Sequence, residues 1–554
     1  MRLNHLLNSQ TNSVGAAAGI LAISAFVSRV LGVVRDWLLA KTFGAGPELD
    51  IYFAAFRIPD LVYNVLIAGG VIVAFLPLFS EYFSKNKEDA WRFTNNTLNI
   101  FLFLLIFLCL ILFIFASPLM KLITPGFASE QLEKTVFLTR LLFLSPILLG
   151  LSAIFSGTLQ YFNRFLVYSL CPILYNLGII FGILFLTSRF GVVGVAIGVI
   201  LGAVLHFIIQ IPSTINCGFK YRPIFNFRDP GIKRVFFLMI PRTFAAATYQ
   251  INLIVITAIA STLTAGSLSI FNFANNLQYF PIGIIGVSFA VAIFPALSRA
   301  WAELKKEEFI KSFSSVFRQV LYLVIPVSIL IFVLRNQIIG LVLKHGQFTQ
   351  EASRLTAASL GLFCLSIFTL SLIPLIFRAF FALQDTKTPT LIAVAGMAIN
   401  IILSFYFVWL LDSTGMFSAS CGVKLQNLIR NSFSLQGIEN IQVLGLPLAF
   451  SFTGIPQIIL LMFFLYRKIG DYKLREIFNS FLKILIASIL MAVLVCLVLS
   501  SIPLFFDIQT FLGTFWQTVI AGLVGVLTFL VATFLLKSPE IEVIKFSIIK
   551  KFRK

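Results

Sequence analysis

Charge is what this 554-residue chain has least of: only 12% of its residues are Asp, Glu, Lys or Arg. Soluble globular domains are about a quarter charged, so this chain cannot clothe several water-facing surfaces. A soluble protein is excluded. Acidic residues are scarcer still, 22 against 42 Lys and Arg, which leaves a formal net charge of +20. The basic residues are scattered between apolar runs rather than gathered on one domain, which points to loops facing an anionic leaflet and not to nucleic acid. Histidine is nearly absent, and His5, His206 and His345 lie far apart without an E-x-x-H neighbour. A Walker-type glycine loop and a G-x-S-x-G turn are also missing, so no zinc hydrolase, ATP-driven pump or serine hydrolase is written here. A polytopic glycosyl- or acyltransferase would need convergent acid, base or metal groups, which the sequence does not offer. The reading is of a non-enzyme without a cofactor. The cysteines, Cys109, Cys171, Cys217, Cys364, Cys421 and Cys496, lie mostly in apolar runs with no C-x-x-C. Neither a disulfide framework nor a metal site is expected.

What the chain has in abundance is apolar length. Hydrophobic residues make up 59%, phenylalanine occurs 62 times, and the mean hydropathy is +0.98. Runs of about 18 residues or more, each able to cross about 30 Å of hydrocarbon, recur along the whole sequence. About fourteen are expected, centred within 14–40, 50–80, 97–117, 136–160, 165–188, 191–213, 235–262, 268–298, 316–334, 354–383, 389–411, 441–466, 478–503 and 511–536. The fold class is therefore an all-α polytopic membrane protein. The first run is no cleaved signal, because Arg29, Arg35 and Asp36 interrupt it and a second run follows at once. The longest connections are 214–234 and 412–438.

Lys and Arg mark one alternating set of loops: Lys85 to Arg92, Lys220 to Arg234, Arg299 to Lys311, Arg467 to Arg475, and the tail Lys545 to Lys554. With the basic set inside, both termini and 214–234 are cytoplasmic and 412–438 is external.

The chain also resembles itself at a shift near 220 residues. Val73-Ala74-Phe75-Leu76-Pro77-Leu78-Phe79-Ser80 matches Val291-Ala292-Ile293-Phe294-Pro295-Ala296-Leu297-Ser298. Phe127 to Glu130 then parallels Phe348 to Glu351, while Leu159-Gln160 and Asn176 parallel Leu383-Gln384 and Asn400. Chance likeness between Phe- and Leu-rich helices is the alternative, but three matches keep their order. Such a repeat is what paired transporter halves leave behind. It divides the chain into a lobe over 1–213, a cytoplasmic linker over 214–234, a second lobe over 235–466, and two appended helices with a basic tail over 467–554.

Charges at mid-bilayer cost about 2.5–3.5 kcal/mol each, so those inside spans need partners or a watery cavity. They cluster early. Arg29 and Asp36 are seven apart on one helical face with Arg35 about a third of a turn away, and Asp50, Arg57 and Asp60 largely share another. Pro59 and Gly69-Gly70 are places where the second helix can bend. Two readings stand. Arg29–Asp36 and Arg57–Asp60 are self-compensating pairs, or the arginines line a cavity for a phosphate-bearing anion, which guanidinium binds in bidentate fashion. Arg242 and Arg378 add positive charge in the second lobe, where each alone could equally snorkel to the interface. Gly191, Gly194, Gly198 and Gly202 have the small-x-x-small spacing of close helix packing.

Several of these segments together resemble a known family. Ser28-Arg29-Val30-Leu31-Gly32-Val33-Val34-Arg35-Asp36, Phe43-Gly44-Ala45-Gly46, Phe56-Arg57-Ile58-Pro59-Asp60, Pro125-Gly126-Phe127, Asn163-Arg164-Phe165, Gly346-Gln347-Phe348-Thr349 and Arg378-Ala379-Phe380-Phe381-Ala382-Leu383-Gln384-Asp385-Thr386-Lys387-Thr388-Pro389 occur in order. They resemble the MurJ/MviN family of bacterial lipid II flippases, within the multidrug/oligosaccharidyl-lipid/polysaccharide exporter superfamily. The likeness covers roughly the first 410 residues, and the last three spans agree in position and hydropathy.

The resemblance implies two six-helix lobes around a central cavity plus two C-terminal helices, in the bacterial cytoplasmic membrane. It implies alternating access that carries an undecaprenyl-diphosphate-linked disaccharide-pentapeptide to the outer leaflet. Carried over residue by residue, it assigns substrate contacts to Arg29, Arg35 and Asp50, with Ser28 beside them; Arg57, Arg242 and Arg378 join them from the charge argument. Expected partners are the lipid-linked diphosphate oligosaccharide, membrane lipids and cell-wall synthesis proteins, around a monomeric chain. Two departures are visible: Tyr63-Asn64 and Asn275-Asn276 stand where the family carries basic residues, with Ala68 and Tyr279 at the neighbouring acidic positions. Gln250, Asn252, Asn400 and Ser404 offer no carboxylate for a tight sodium site. The alternatives are an exporter of another polyprenyl-linked glycan and a non-transporting paralogue that scaffolds cell-wall synthesis.

Overall fold

The computed structural model describes residues 14–412, 420–502 and 510–541, and among them there are helices and turns but no strand. The basic tail from Lys545, the Arg242 side chain and the Ala68 side chain lie outside the described residues. All-helical structure follows from the medium: lipid offers the backbone no hydrogen bonds, so every N–H and C=O must find its partner inside the segment.

The first half runs α1 (Val14–Phe43), α2 (Pro47–Ala55), α3 (Arg57–Val62), the π-helical segment π1 (Tyr63–Val71), α4 (Ile72–Lys85), α5 (Lys87–Ile114), α6 (Ala116–Ile123), α7 (Ser129–Leu142), α8 (Leu144–Tyr161), α9 (Phe165–Phe181), π2 (Gly182–Leu186), α10 (Thr187–Phe190), α11 (Val192–Ile208), α12 (Gln210–Asn216) and α13 (Pro230–Ser261). The second runs α14 (Ser267–Pro281), π3 (Ile282–Val287), α15 (Ser288–Ala302), α16 (Lys306–Val342), α17 (Gln350–Ala382), α18 (Lys387–Leu410), α19 (Ser420–Phe433), α20 (Gly445–Ile469), α21 (Leu474–Ser501) and α22 (Phe511–Leu535).

Eleven helices among the described residues are long and apolar enough to cross a membrane. The chain is a multi-pass membrane protein. The other three expected spans fall on α1, on the broken run from Pro47 to Lys85 and on α13, the segments that carry Arg29, Arg35, Asp36, Asp50, Arg57, Asp60 and Arg242.

Packing divides the chain into two compact units, Met1–Ser269 and Ile270–Lys554. The first unit takes in α13, one helix beyond the 213 boundary that the repeat marks, because α13 packs along π1 and α4. Residues 214–234 are strapped down. Asn95, Asn96 and Asn99, each at most 2% exposed on α5, reach this segment's backbone. Asn95 Nδ2 donates to Lys220 O at 2.9 Å and its Oδ1 accepts from Arg222 N at 2.8 Å. Asn96 makes the same reciprocal pair with Asn226 at 3.0 and 2.8 Å. Buried amides thus stand in for a neighbouring strand, satisfying backbone groups that would otherwise be orphaned.

Of the four glycines at small-x-x-small spacing, the three within α11 pack closely. A Cβ on Gly198 would lie 2.7 Å from Gly182 Cα and 2.8 Å from Gly178 O, so α9 and α11 touch backbone to backbone. Gly191 does not belong to that seam: it has φ +54 with open space around it and makes the turn between α10 and α11.

In the second unit, α21 and α22 pack on α16 through a core that includes Phe309, Phe313, Tyr472, Ala521 and Phe529. Glu540, 3% exposed, accepts from Ser538 Oγ at 2.6 Å and pairs with Arg318 of α16 at 3.4 Å. The stretch 412–438, read from sequence as a connection, contains α19. Its buried Gly422, Gln426 and Ile429 recur at helical spacing, and Gln426 Nε2 closes on Leu410 O and Asp412 O, both at 3.4 Å.

Candidate functional site

The polar groups of α1 meet α9. Arg35 Nε and Nη2 donate to Asp36 Oδ1 at 3.0 and 2.8 Å, and Nη1 reaches Asn176 Oδ1 at 3.4 Å. Asn176 Nδ2 in turn donates to Ser28 Oγ at 3.3 Å and to Pro172 O at 3.0 Å. One turn earlier, Ser24 Oγ donates to Ser169 Oγ at 3.0 Å. Ser28, Arg35, Asp36 and Asn176 are therefore one network. The Arg35 side chain keeps 25% exposure within it. Asp36 is engaged by its sequence neighbour: adjacent helical residues do not ordinarily face each other, but a long guanidinium stem can fold back. Arg29 is half-buried on the same helix.

Asp50 has a different fate. It is 4% exposed, and its carboxylate accepts from Gly266 N at 2.7 Å, Ser269 N at 2.8 Å and Ser269 Oγ at 2.6 Å. Those donors belong to the start of α14 and the turn before it, where unpaired N–H groups favour an anion. Gly266, at φ +90 and against Ala45 O, brings that turn close enough. Asp50 is a clamp between α2 and this turn, with its acceptor capacity largely filled.

Arg57, 6% exposed, donates from Nε to Thr257 Oγ1 of α13 at 2.6 Å. Asp60 lies in the electrostatic field of both Arg57 and Arg35, so its charge is opposed by two arginines. Asp60 also lines a cavity of about 240 Å³ with Tyr63, Asn64, Tyr175 and His206. His206 Nδ1 shares a 2.6 Å hydrogen bond with Ser152 Oγ, and Ser156 Oγ donates to Gln210 Oε1 at 2.9 Å, so the wall behind this cavity is itself hydrogen-bonded. Pro59 and Gly69-Gly70 flank or lie in the region where α-helix gives way to π1.

In the second unit Arg378 lies over the Phe294 ring at 5.2 Å, an interaction suited to a partly dehydrated guanidinium. Asn275 Oδ1 accepts from Gln278 Nε2 at 2.9 Å, while Asn276 and Tyr279 are exposed. Asn400 Nδ2 donates to Thr453 Oγ1 at 3.3 Å, and Ser404 Oγ to Asn400 O at 2.8 Å.

The family model described as lipid II flippase MurJ matches residues 39–430, more than half of the chain. The chain belongs to the lipid II flippase MurJ family. Among curated relatives, the lipid II flippase MurJ of Burkholderia cenocepacia is 28% identical over 422 residues, covering 74% of this chain and 82% of that protein. The probable lipid II flippase MurJ of Borreliella burgdorferi is 30% identical over 387 residues, covering 70% and 76%. The solved structure of a lipid II flippase MurJ in an inward closed conformation aligns with a TM-score of 0.74 at 26% identity, covering 93% of this chain and 98% of that one. An inward-facing multidrug resistance MATE family transporter shares the fold, with a TM-score of 0.64 at 14% identity over 82% of this chain.

Within this MurJ family fold, the string from Gln384 to Pro389 has a structural task. Gln384 takes φ +59, Asp385 Oδ1 accepts from Thr388 N at 3.0 Å, and Asp385 Oδ2 pairs with Lys468 of α20 at 2.6 Å. Partial burial pushes this carboxyl up, but the hydrogen bonds from Lys468 and Thr388 outweigh it and hold it below its ordinary value. Sequence reasoning missed Thr257 and Ser269, hydroxyls whose only signal was a polar residue inside or bordering an apolar run. It noted Asn176 only as a repeat match.

Proposed function

We propose that this chain flips lipid II, moving the undecaprenyl-diphosphate-linked peptidoglycan precursor from the inner to the outer leaflet of the bacterial cytoplasmic membrane. The observation that carries this is family membership over 39–430 together with Arg35, a guanidinium held on a membrane-embedded helix yet still 25% exposed. A diphosphate is recognised by planar, permanently charged donors that remain reachable. In this reading Arg35 and Arg29 contact the diphosphate, and Ser28 is a hydroxyl at the edge of the same network. Arg57 tunes the site through Asp60, and Arg242 and Arg378 add charge from the later helices. Asp50 acts indirectly: its clamp must hold in one access state and release in the other.

Both termini and the 214–234 strap face the cytoplasm, as the basic loops require. No catalytic step is involved. Membrane potential, about 2.3 kcal/mol per charge per 100 mV with the inside negative, drives an anionic headgroup outward. The test is to deplete the protein and measure which leaflet holds labelled lipid II. Accumulation of lipid II in the inner leaflet, reversed by the wild-type chain and not by Arg35→Ala, is the expected result. An unchanged leaflet distribution would favour another polyprenyl-linked cargo or a scaffolding role.

A further inference from the structure

The second unit contains a cavity of about 730 Å³, larger than the one beside Asp60 and remote in sequence from the α1 network. Its wall is built from the end of α16, the start of α17, the end of α19 and the start of α22. Lys344, His345 and Arg354 line it, and no Asp or Glu does. Among the described residues neither Lys344 nor Arg354 has an ion-pair partner, although both are exposed.

The bland explanation covers part of this. Lys344 and His345 follow the C-terminus of α16, where cations are favoured by the helix dipole alone. Arg354 is not so explained. It sits near the start of α17, whose N-terminus is already positive, and the start of α22 borders the same cavity. Glu351, in the first turn of α17, does not line the cavity; two helix N-termini and two cations without an ion-pair partner border one space, and an anion between them would be favoured.

The rest of the lining says which anion. Leu341, Phe433 and Phe511 give the cavity an apolar side, which a free inorganic ion does not use and a lipid does. Gln337 also lines it, and its buried Oε1 has no hydrogen-bond partner. That amide, in either orientation, can meet a hydroxyl beside the phosphate.

We propose that this cavity binds the phosphate of an anionic, hydroxyl-bearing lipid headgroup, as in phosphatidylglycerol, with Lys344 and Arg354 holding the phosphate. It is distinct from the proposed transport site and does not depend on that reading. It also gives α22, which lies beyond the internal repeat, a task of its own: its first turns complete the wall.

The full-length protein is reconstituted in nanodiscs of mixed phosphatidylglycerol and phosphatidylethanolamine, re-extracted in detergent, and its retained lipids are quantified by mass spectrometry. Wild type retains phosphatidylglycerol in preference, and the Lys344→Gln/Arg354→Gln variant loses about tenfold of that retention, the size expected for charge-assisted contacts. A Lys233→Gln/Lys311→Gln control removes the same charge elsewhere and keeps it. Melting temperatures verify that both variants are folded. Equal retention by wild type and the cavity variant, or equal loss in the control, overturns the site. Displacement of phosphatidylglycerol by millimolar inorganic phosphate overturns the lipid as its source. Because retention is read without transport, failure here leaves the flippase reading intact, and failure of flipping leaves this site intact.

Discussion

At the shift of the Val73/Val291 match, Arg57 corresponds to Asn275 and Asp60 to Gln278. The first repeat places an arginine and an aspartate three residues apart; the second places two amides that hydrogen-bond directly at 2.9 Å. The same register matches π1 (Tyr63–Val71) with π3 (Ile282–Val287), so the π-helical segment recurs while the charge does not. Asp50 falls opposite Leu268, which is fully buried and apolar. The lesson is that the backbone device and the electrostatic device are separable. Wide turns need only local packing and a tolerance for lost α-helical bonds. Buried charges need a complete set of partners, and they survive only where other helices supply them.

The largest effect expected from this asymmetry is on transport. Arg35→Ala should lower flipping by about 100-fold or more, since it removes a charge-assisted contact and the hydrogen bonds that Arg35 donates to Asp36. Arg35→Lys should recover part, and the leaflet assay reads both. Full activity of Arg35→Ala would mean that the charge of the first repeat is purely structural. The corresponding test in the second repeat is Arg242→Ala, alone and with Asn276→Arg: the first should impair flipping and the second restore part of it.

Next in size is the clamp. Asp50→Ala should cost about 2–4 kcal/mol, because it orphans two buried N–H groups and a hydroxyl, and Asp50→Asn should cost less. Thermal unfolding in detergent measures this. Leu268→Ala, at the matching position, should behave as a simple cavity of similar size but without effect on the Gly266 turn, which amide exchange at Gly266 and Ser269 distinguishes.

A smaller effect follows from making the first repeat resemble the second. Arg57→Ala alone should cost about 3 kcal/mol by leaving Asp60 with less compensation, whereas Arg57→Asn with Asp60→Gln should stay within about 1 kcal/mol of wild type. A double variant as unstable as the single one would show that the opposite charges, not their neutrality, are what the site requires.

The smallest concerns Asp385. Its folded carboxyl is held below the ordinary value, so its stabilisation is present above the usual carboxylate range and is lost as pH falls through the lowered value. Asp385→Asn should cost about 1 kcal/mol at neutral pH, since Lys468 is partly exposed and screened, and the difference from wild type should vanish in acid. A melting series against pH reads the convergence.

Hydropathy alone made the fold class legible, because a backbone in lipid has few solutions and the length of each apolar run reports the thickness it must cross. The family was legible in ordered strings such as Ser28 to Asp36 and Arg378 to Pro389. The irregularity of the second helix, which turns from α to π at Tyr63, was legible in Pro59 and Gly69-Gly70. What sequence could not assign was partnership. Asp36 takes Arg35, Arg57 takes Thr257, Asp50 takes Gly266 and Ser269, and the strap at 214–234 is held by Asn95, Asn96 and Asn99. Each of these pairs, apart from Arg35 with Asp36, joins residues more than 100 positions apart. Periodicity tells which face a residue lies on, but a hydrogen bond needs a partner within about 3 Å, and only the packing of one helix against another decides who stands there.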